Sequence, residues 1–324
     1  MSLTLRAASP LRIGLGLAAV GRPGYITLGR DTDLPAVRSA KALEHRAFAL
    51  MDAAYAQGVR YFDAARSYGL AETFLAQWLQ ARPDVTDIVV GSKWGYTYTA
   101  DWRIQADVHE VKDHSTDAYD RQVAESRALL GSRLSLYQIH SVTPDSPALS
   151  DTALHERLAQ LREEGVTVGL STSGPRQADT IRAALNVTVS GRPLFGSVQT
   201  TYNLLERSAG GALAEAHAAG CAVIVKEALA NGRLAGPHVV APEMSALRDI
   251  ADQTGASCDA IALAAVAAQP WANVVLSGAA TVDQLTSNLA AARVQLSPTQ
   301  MERLTSLAQS ADAYWAHRSQ LAWA

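Results

Sequence analysis

The stretch "VRYFDAARSYG", residues 59–69, begins as a buried β-strand and ends in polar residues. Apolar and aromatic side chains at Val59, Tyr61 and Phe62 lead directly into Asp63, and Tyr68 follows five residues later. Near-continuous apolar runs are typical of parallel strands that are buried on both faces. Because a carboxylate is costly to bury without a partner, the stretch predicts a strand whose carboxyl end faces a polar site.

Runs of this kind recur along the chain, and each is followed by a segment with helical spacing. The predicted strands are 11–16, 59–63, 87–93, 134–140, 166–171, 195–200, 221–227 and 273–278. The predicted helices are 40–57, 71–80, 116–130, 151–163, 176–184, 211–219, 257–268 and 281–291. Eight alternating strands and helices without a Pro/Ser-rich linker predict an α/β fold, a single (β/α)8 TIM barrel domain over residues 1–324. A doubly wound open sheet is the alternative that the pattern leaves open.

Two segments are longer than a normal connection between barrel elements. One is the loop 96–115, which follows the third strand, and the other is the C-terminal extension after Leu296. Long loops on a rigid scaffold usually carry function. We expect the loop after the third strand to carry function, whereas the C-terminal extension either closes the pocket, forms an oligomer contact or simply packs against the barrel.

Composition narrows the classes of function. The chain has 324 residues, a formal charge of −3 and 48% hydrophobic residues, which is in the range of soluble globular proteins. That charge gives no electrostatic case for nucleic acid, and no apolar run is long enough to predict a membrane span. Cys221 and Cys258 are too few for a disulfide framework. We expect a cytoplasmic protein with a small-molecule partner, and the sequence does not indicate an oligomeric state.

Ionisable residues end three successive predicted strands. Asp63 ends the second, Lys93 the third and His140 the fourth, while Tyr68 lies in the loop after the second. The carboxyl ends of barrel strands meet on one face, where chemistry is placed.

These four side chain types form a coherent set for proton transfer. A phenol with a pKa of about 10 is a weak acid at neutral pH, but an adjacent ammonium lowers that pKa, and a carboxylate orients the ammonium. A histidine adds a hydrogen bond at a substrate oxygen. The set suits protonation of a developing alkoxide, and the hydride must then come from a nicotinamide cofactor because side chains do not donate hydride.

Several motifs together resemble one family. They are "FDAARSYGLAE" (62–72), "GSKWG" (91–95), "YQIH" (137–140), "GLS" (169–171), "QTTYNLLER" (199–207) and "SGAATVDQLTSNL" (277–289). In their order and spread over nearly the whole chain they resemble the aldo-keto reductase superfamily. The resemblance implies that Tyr68 is the general acid in reduction and the general base in oxidation. It also implies that Lys93 lowers the pKa of Tyr68, that Asp63 pairs with Lys93, and that His140 orients the carbonyl oxygen.

The resemblance also implies a cofactor site without a Rossmann fold. The residues assigned to the cofactor are Ser171, Gln199, Tyr202, Lys226, Leu229, Gly278, Gln284 and Asn288. Ser171 and Gln199 would hold the nicotinamide carboxamide, Tyr202 would stack on the nicotinamide ring, and the last helix would reach the adenosine. Lys226 is either a phosphate contact or the partner of Glu227, and the sequence does not decide between the two.

Cofactor choice rests on family habit, which favours NADP over NAD. Members that prefer NADP often place an Arg or Lys near positions 280 and 281, to pair with the 2′-phosphate. This chain has Ala280 and Thr281 there. It also has Thr172 where the family often has an asparagine that contacts the nicotinamide.

The aromatic residues around the third strand predict the substrate pocket. Trp94, Tyr96 and Trp102 are assigned to its wall, and the polar residues of the same loop suggest a hydroxylated or otherwise polar substrate. His109 and His114 lie five residues apart, a spacing that does not place them on one helix face, so no metal site is predicted.

Taken together, the sequence predicts an NAD(P)H-dependent oxidoreductase. It would reduce an aldehyde or ketone, or oxidise a sugar or alcohol. One alternative is a cofactor-binding regulatory subunit that resembles potassium-channel β subunits and turns over little. Another is a barrel lyase or aldolase that uses Lys93 as a Schiff-base amine.

Overall fold

The computed structural model describes residues 12–34 and 37–324. Its strands are β1 (Ile13–Gly16), β2 (Tyr61–Asp63), β3 (Val89–Trp94), β4 (Tyr96–Tyr98), β5 (Glu110–Lys112), β6 (Leu134–Val142), β7 (Thr167–Thr172), β8 (Thr188–Val189), β9 (Arg192–Pro193), β10 (Ser197–Thr201), β11 (Ala222–Lys226) and β12 (Val274–Ser277). The eight strands predicted from the sequence are β1, β2, β3, β6, β7, β10, β11 and β12. Leu11, predicted to begin the first strand, lies outside the described residues.

These eight strands form a closed barrel of parallel strands in the order β1-β12-β11-β10-β7-β6-β3-β2. The barrel closes at β1, where Ile13 is in register with Val275 of β12 and Leu15 with Phe62 of β2. A sheet that closes on itself has no free edge. The (β/α)8 TIM barrel predicted from the sequence is therefore confirmed, and the open-sheet alternative is wrong.

Helices surround the barrel. They are α1 (Arg30–Asp33), α2 (Ala40–Ala56), α3 (Ala71–Gln80), α4 (Thr116–Leu130), α5 (Thr152–Glu163), α6 (Gln177–Leu185), α7 (Gly210–Ala218), α8 (Ser245–Thr254), α9 (Cys258–Ala267), α10 (Val282–Leu289), α11 (Pro298–Thr305) and α12 (Ala311–Ser319). Short 3₁₀ helices lie at Gly131–Arg133, Pro147–Leu149, Ala230–Gly232, Gly236–Val240, Pro242–Met244 and Ala290–Arg293. Side chains of Ser39, Ser115 and Asp151 cap α2, α4 and α5 by accepting hydrogen bonds from first-turn backbone amides.

All eight predicted helices are present, as α2 to α7, α9 and α10. Helix α8 lies in the long connection after β11, and α11 and α12 form the C-terminal extension. These three helices were not predicted. Their apolar faces pack into a separate cluster outside the barrel, which includes Leu247, Leu304 and Trp315.

A small apolar cluster fills the interior of the barrel. It consists of Tyr61, Leu136, Ile224, Val274 and Leu276. Room for the Tyr61 ring depends on a glycine, because a Cβ atom at Gly91 would lie 2.4 Å from the Tyr61 hydroxyl oxygen. This layer lies directly below the polar residues at the carboxyl end of the barrel.

The long loop 96–115 contains a hairpin that the sequence did not reveal. Strands β4 and β5 pair antiparallel, with Tyr96 in register with Lys112 and Tyr98 with Glu110. A second small antiparallel pair, β8 with β9, lies between α6 and β10. Among residues 12–34 and 37–324, no helix is both long and apolar enough to cross a lipid bilayer.

Candidate active site

The polar residues at the carboxyl end of the barrel follow from the alternation of side chains along each strand. Tyr61 and Leu136 point into the barrel, and residues at even spacing on one strand share a face. Asp63 lies two residues after Tyr61, and His140 four residues after Leu136. The ammonium of Lys93 contacts Asp63, which shows that the Lys93 side chain points to the same face. The three strand-end residues singled out in the sequence therefore meet at the opening of the barrel on the side of the strands' carboxyl ends, which we call the mouth.

Asp63 and Lys93 form a buried ion pair. Lys93 Nζ donates to Asp63 Oδ2 and also, at 2.9 Å, to the carbonyl oxygen of Ala64. Asp63 Oδ1 accepts two further hydrogen bonds, from Gln199 Nε2 at 2.9 Å and from the Tyr61 hydroxyl at 3.1 Å. The side chain of Lys93 has no exposed surface, and that of Asp63 is 3% exposed. Both charges are thus neutralised and held by fixed partners.

The Tyr68 phenol lies beside His140. Its hydroxyl oxygen is 3.4 Å from Nε2 of the imidazole, and the two rings meet edge to face with centroids 5.4 Å apart. Nδ1 of His140 is 3.4 Å from the Ser67 hydroxyl. Lys93 Nζ lies 4.8 Å from the centroid of the Tyr68 ring. The four predicted catalytic residues are therefore brought together.

Burial controls the protonation of this group. It raises the pKa of Tyr68 well above its usual value, and the Asp63 carboxylate raises it further, against a lowering by Arg22. Burial, followed by the charge of Lys93 and then that of Lys226, holds the pKa of His140 well below its usual value. That Lys93 lowers the pKa of Tyr68 stays a prediction. At neutral pH the phenol is protonated and the imidazole is neutral.

Two residues assigned to the nicotinamide carboxamide, Ser171 and Gln199, are fully buried. Ser171 Oγ accepts a hydrogen bond from the backbone amide of Ser141 at 2.8 Å. Gln199 donates to Asp63, which points its side chain towards the mouth, and its Oε1 has no hydrogen-bond partner among the described residues. A buried acceptor without a donor is unusual in a folded protein. It fits a ligand that brings an amide N–H.

Tyr202 lies elsewhere. It follows Gln199 by three residues, so the alternation along β10 turns its side chain out of the barrel. Its ring packs edge to face against Trp271, with centroids 4.8 Å apart. The same ring is the group that a Cβ atom added at Gly210 would meet first. The ring stacks on other parts of the protein and does not reach the four residues at the mouth.

Lys226 and Glu227 at the end of β11 form a cluster with the C-terminal extension. Glu227, a non-glycine residue with φ of +55°, accepts hydrogen bonds from Arg318 of α12 at 3.0 and 3.1 Å. The Thr201 hydroxyl donates to Glu227 at 2.9 Å and accepts from Lys226 Nζ at 2.8 Å. Lys226 Nζ itself is 4.0 Å from the Glu227 carboxylate. Lys226 therefore lies beside Glu227, but Arg318 is the direct partner of that carboxylate.

The residues assigned to the adenosine end lie on α10, Gln284 in its first turn and Asn288 in its last turn, and largely bond to the protein itself. Gln284 Oε1 accepts from the backbone amide of Ala280 at 2.9 Å. Asn288, 4% exposed, accepts from Ser277 and donates to Asp259, both at 2.7 Å. Asn288 thus braces the end of β12 against α9.

The loop between β12 and α10 is open where Gly278 lies. Gly278 is exposed, and a Cβ atom there would meet no atom within 4 Å. Arg46 of α2 reaches the same loop, with Nη1 3.3 Å from the carbonyl oxygen of Ala280. Leu229, after β11, is half-buried against the apolar clusters.

Of the three aromatic residues assigned to the substrate wall, Tyr96 lies at the mouth. Its ring centroid is 5.1 Å from that of His140. Trp94 follows Lys93 directly, so it points to the opposite side of the strand, where its fully buried ring packs against Tyr119 of α4. The indole of Trp102 donates to the carbonyl oxygen of Arg38 at 2.8 Å and so ties the long loop to the segment before α2.

Arg22, which follows β1, is a site residue that the sequence interpretation missed. Its guanidinium lies 5.3 Å from the centroid of the Tyr68 ring, and Nη1 donates to the Ser67 carbonyl at 2.8 Å and to Glu110 of β5 at 2.7 Å. Arg22 lies six residues after the end of β1, so the strand-end rule that identified Asp63, Lys93 and His140 did not identify it.

The end of the chain meets the first loop and the long loop over the mouth. Tyr25 and Ala324 exchange backbone hydrogen bonds of 3.0 and 3.1 Å. The Trp323 ring stacks on His109, with centroids 4.0 Å apart, and the guanidinium of Arg22 lies 4.7 Å from the Trp323 centroid. Residues of both long segments therefore lie at the mouth.

His109 and His114 have separate partners. His109 Nε2 is 2.9 Å from the Ile104 carbonyl, whereas His114 bonds to Ser146 at 2.6 Å and to the carbonyl of His140 at 2.8 Å. In the part of the chain that the structure describes, no three His, Cys, Asp or Glu residues are grouped in a way that would hold a metal ion.

Comparison with known proteins points to one family. A family model described as "Aldo/keto reductase family" matches residues 12–309. Protein tas of Escherichia coli (strain K12) is 25% identical over 319 residues, which cover 84% of this chain and 90% of that protein. An uncharacterized oxidoreductase of Mycobacterium tuberculosis (strain ATCC 25618 / H37Rv) is 27% identical, with 92% of this chain and 90% of that protein covered.

Solved structures agree on the fold. The holo form of an aldo-keto reductase from Bacillus halodurans superposes with a TM-score of 0.68 at 23% identity and covers 93% of each chain. Among the proteins related by sequence, a D-threo-aldose 1-dehydrogenase from a Pseudomonas species is 26% identical over a shorter region, which covers 59% of this chain and 61% of that protein.

Proposed function

This chain belongs to the aldo/keto reductase family and is an oxidoreductase, and from that premise we propose that it reduces an aldehyde or ketone with a nicotinamide cofactor, with Tyr68 as the proton donor. The observation that carries the proposal is the state of Tyr68. Its phenol is protonated because burial raises its pKa, and it lies 3.4 Å from His140 Nε2 at the mouth of the barrel.

The four mouth residues divide the work of protonation. Tyr68 donates its hydroxyl proton to the carbonyl oxygen as negative charge develops there, and it takes the proton back in the oxidative direction. The neutral His140 imidazole donates a hydrogen bond to the same oxygen and orients it. Lys93 stabilises the phenolate that remains, while Asp63 holds the ammonium in place and charged.

The cofactor, when bound, supplies the hydride. Gln199 is a suitable anchor for the nicotinamide carboxamide, because its buried Oε1 has no protein donor among the described residues. Ser171 lies on the same inner face and adds a hydroxyl. The other cofactor candidates contribute less directly. Tyr202 packs on Trp271 and would not stack on the nicotinamide ring without moving.

We assign NADPH as the preferred cofactor. The start of α10 has an open loop at Gly278, and Arg46 brings a guanidinium to the neighbouring Ala280 carbonyl. A positive charge at that loop favours the 2′-phosphate over a free hydroxyl. Gln284 bonds to the Ala280 amide of the same loop, and Asn288 holds Ser277 at the end of β12. Both cysteines are free thiols, which fits a reducing, cytoplasmic setting.

The surroundings of Lys93 argue against a lyase or aldolase. A Schiff-base lysine must present a free, uncharged amine to its substrate. Lys93 has no exposed side chain surface, and its ammonium is bonded to Asp63 and to the Ala64 carbonyl. Those contacts favour a fixed charge over a nucleophile.

Substitution Tyr68→Phe tests the assignment. We expect the variant to bind NADPH as the wild type does, measured by cofactor fluorescence, and to lose reduction of 4-nitrobenzaldehyde by about 10²- to 10⁴-fold, the usual contribution of a positioned proton donor. Tyr55→Phe is the matched control, because that hydroxyl bonds to Asp87 at the opposite end of the barrel. It should leave turnover unchanged.

Two results would overturn the assignment. Unchanged turnover in Tyr68→Phe would remove Tyr68 as the proton donor. A wild-type protein that binds NADPH tightly and reduces no aldehyde or ketone in a broad panel would favour a cofactor-binding regulatory subunit.

A further inference from the structure

Lys226 is a second lysine at the mouth, and the proposed protonation scheme does not use it. It ends β11, where it is in register with Thr201 of β10. Ile224, two residues earlier, points into the barrel. The alternation therefore turns Lys226 to the same inner face one layer above, with its side chain 16% exposed.

Its neighbours show that Lys226 is close to the reacting groups. After Lys93, Lys226 is the charge that lowers the pKa of His140 most. Asp63 and Lys93 are in turn among the charges that act on Lys226. Lys226 is in register with Thr201, two residues beyond Gln199, whose amide donates to Asp63, so it lies one layer above the residues that contact Asp63.

The charges at the mouth do not balance. Asp63, Glu227 and Glu110 carry three negative charges, and Lys93, Arg318, Arg22 and Lys226 carry four positive ones, with Arg22 paired with Glu110. Asp63 is paired with Lys93, and Glu227 is paired with Arg318 through two guanidinium nitrogens. One positive charge, that of Lys226, is left over.

Lys226 has a hydrogen bond but no carboxylate of its own. Its ammonium donates to the Thr201 hydroxyl, and Glu227 is 4.0 Å away and already engaged by Arg318. Burial lowers the pKa of Lys226 to about 8, so the ammonium is charged at neutral pH. A buried charge without a direct counter-charge is unfavourable, and an anionic group brought by a ligand relieves that cost.

From this geometry we propose that Lys226 binds an anionic oxygen group of the carbonyl substrate, a carboxylate or a phosphate, and makes the enzyme selective for acidic aldehydes and ketones. The inference rests on the proposed carbonyl reductase function. A phosphate of the cofactor offers the same chemistry, and the experiment separates the two sources.

The test compares two substrates that differ by one charge, 4-formylbenzoate and its methyl ester, with NADPH. We expect wild-type kcat/KM to favour the carboxylate. In Lys226→Met that preference should fall by about tenfold to a hundredfold, the worth of a hydrogen bond to a charged group. Any effect of the substitution through His140 is common to the acid and the ester, so the ratio of the two kcat/KM values is the readout, and the Kd of NADPH should be unchanged. Lys41→Met is the matched control, because Lys41 is exposed on α2.

Binding provides a second measurement that does not depend on turnover. Benzoate and benzamide are titrated by calorimetry into the NADPH-loaded wild type and Lys226→Met. We expect the wild type to bind benzoate more tightly than benzamide and the variant to lose the difference. Thermal unfolding checks that Lys226→Met is folded, because the substitution removes the hydrogen bond to Thr201 and the charge beside Glu227.

The outcomes are distinguishable. Equal preference for the carboxylate in wild type and Lys226→Met overturns the inference, as does a wild type that does not favour benzoate over benzamide. A weaker NADPH Kd in the variant with an unchanged carboxylate preference assigns Lys226 to a cofactor phosphate and also overturns it. A wild type that binds benzoate through Lys226 but reduces neither aldehyde would contradict the proposed function and leave the anion site standing.

Discussion

Lys93 and Lys226 end two strands on the same face of the barrel, and both point inward, yet their surroundings differ in kind. Lys93 is completely buried and donates to the Asp63 carboxylate and to a backbone carbonyl. Lys226 retains 16% exposure, donates to the Thr201 hydroxyl, and lies beside a carboxylate that is bonded to Arg318.

The difference shows that a residue type at a strand end does not by itself define a role. A lysine whose charge is neutralised within the protein acts as a fixed part of the scaffold and tunes its neighbours. A lysine whose charge is not neutralised is available to a ligand. We propose that the first kind of site stabilises a transition state and that the second selects a substrate.

The largest effect should come from breaking the buried ion pair between Lys93 and Asp63. Lys93→Met leaves the Asp63 carboxylate buried and unpaired, which should cost about 3–5 kcal/mol of unfolding free energy and abolish most carbonyl reduction. The double variant Asp63→Asn/Lys93→Met should recover much of that stability without recovering activity. Urea unfolding and kcat measure the two effects. A single variant as stable as the wild type would mean that the pair is not held as described.

A smaller and pH-dependent effect should distinguish Lys226. Its pKa of about 8 means that the ammonium is protonated below that pH and becomes neutral above it. An anion binds the protonated form, so the affinity for 4-formylbenzoate should fall as pH rises through about 8, approaching tenfold per pH unit beyond it. The methyl ester and Lys226→Met should show no such fall. A pH-independent KM for 4-formylbenzoate in the wild type would contradict the assignment.

The smallest effect should follow from adding a cation to the loop between β12 and α10. We propose that this loop binds the cofactor, and it has no basic residue of its own. Gly278→Arg places a guanidinium at an open position of the loop, and the NADPH affinity should rise about two- to fivefold relative to NADH, as expected for an exposed ion pair. Gly278→Gln is the control for size without charge. Fluorescence titration with both cofactors measures the ratio, and equal gains for both would place the 2′-phosphate away from this loop.

The sequence was sufficient for the barrel and for the meeting of Asp63, Lys93 and His140, because both follow from periodicity and from the rule that parallel strands end on one face. It did not reveal the partner of Glu227. Arg318 lies 91 residues further along the chain, on a helix that the sequence pattern did not predict, and no local pattern connects the two.

The directions of two aromatic side chains could have been predicted from the alternation of side chains along a strand, without the family resemblance. Trp94 directly follows the inward-facing Lys93, and Tyr202 follows the inward-facing Gln199 by three residues, so alternation turns both rings outward. The direction of the Tyr68 pKa was beyond the sequence, because it depends on burial by residues from several loops.

The backbone exchange between Tyr25 and Ala324 joins residues from almost opposite ends of the chain. A contact of such long range forms only after the intervening barrel has brought its two sides together, because closing so large a loop in a disordered chain carries an entropic cost that two hydrogen bonds do not offset. Folding of this protein is therefore expected to produce a barrel before it produces a covered mouth. We expect this pairing of Tyr25 with Ala324 to open at a lower free energy than the barrel strands do.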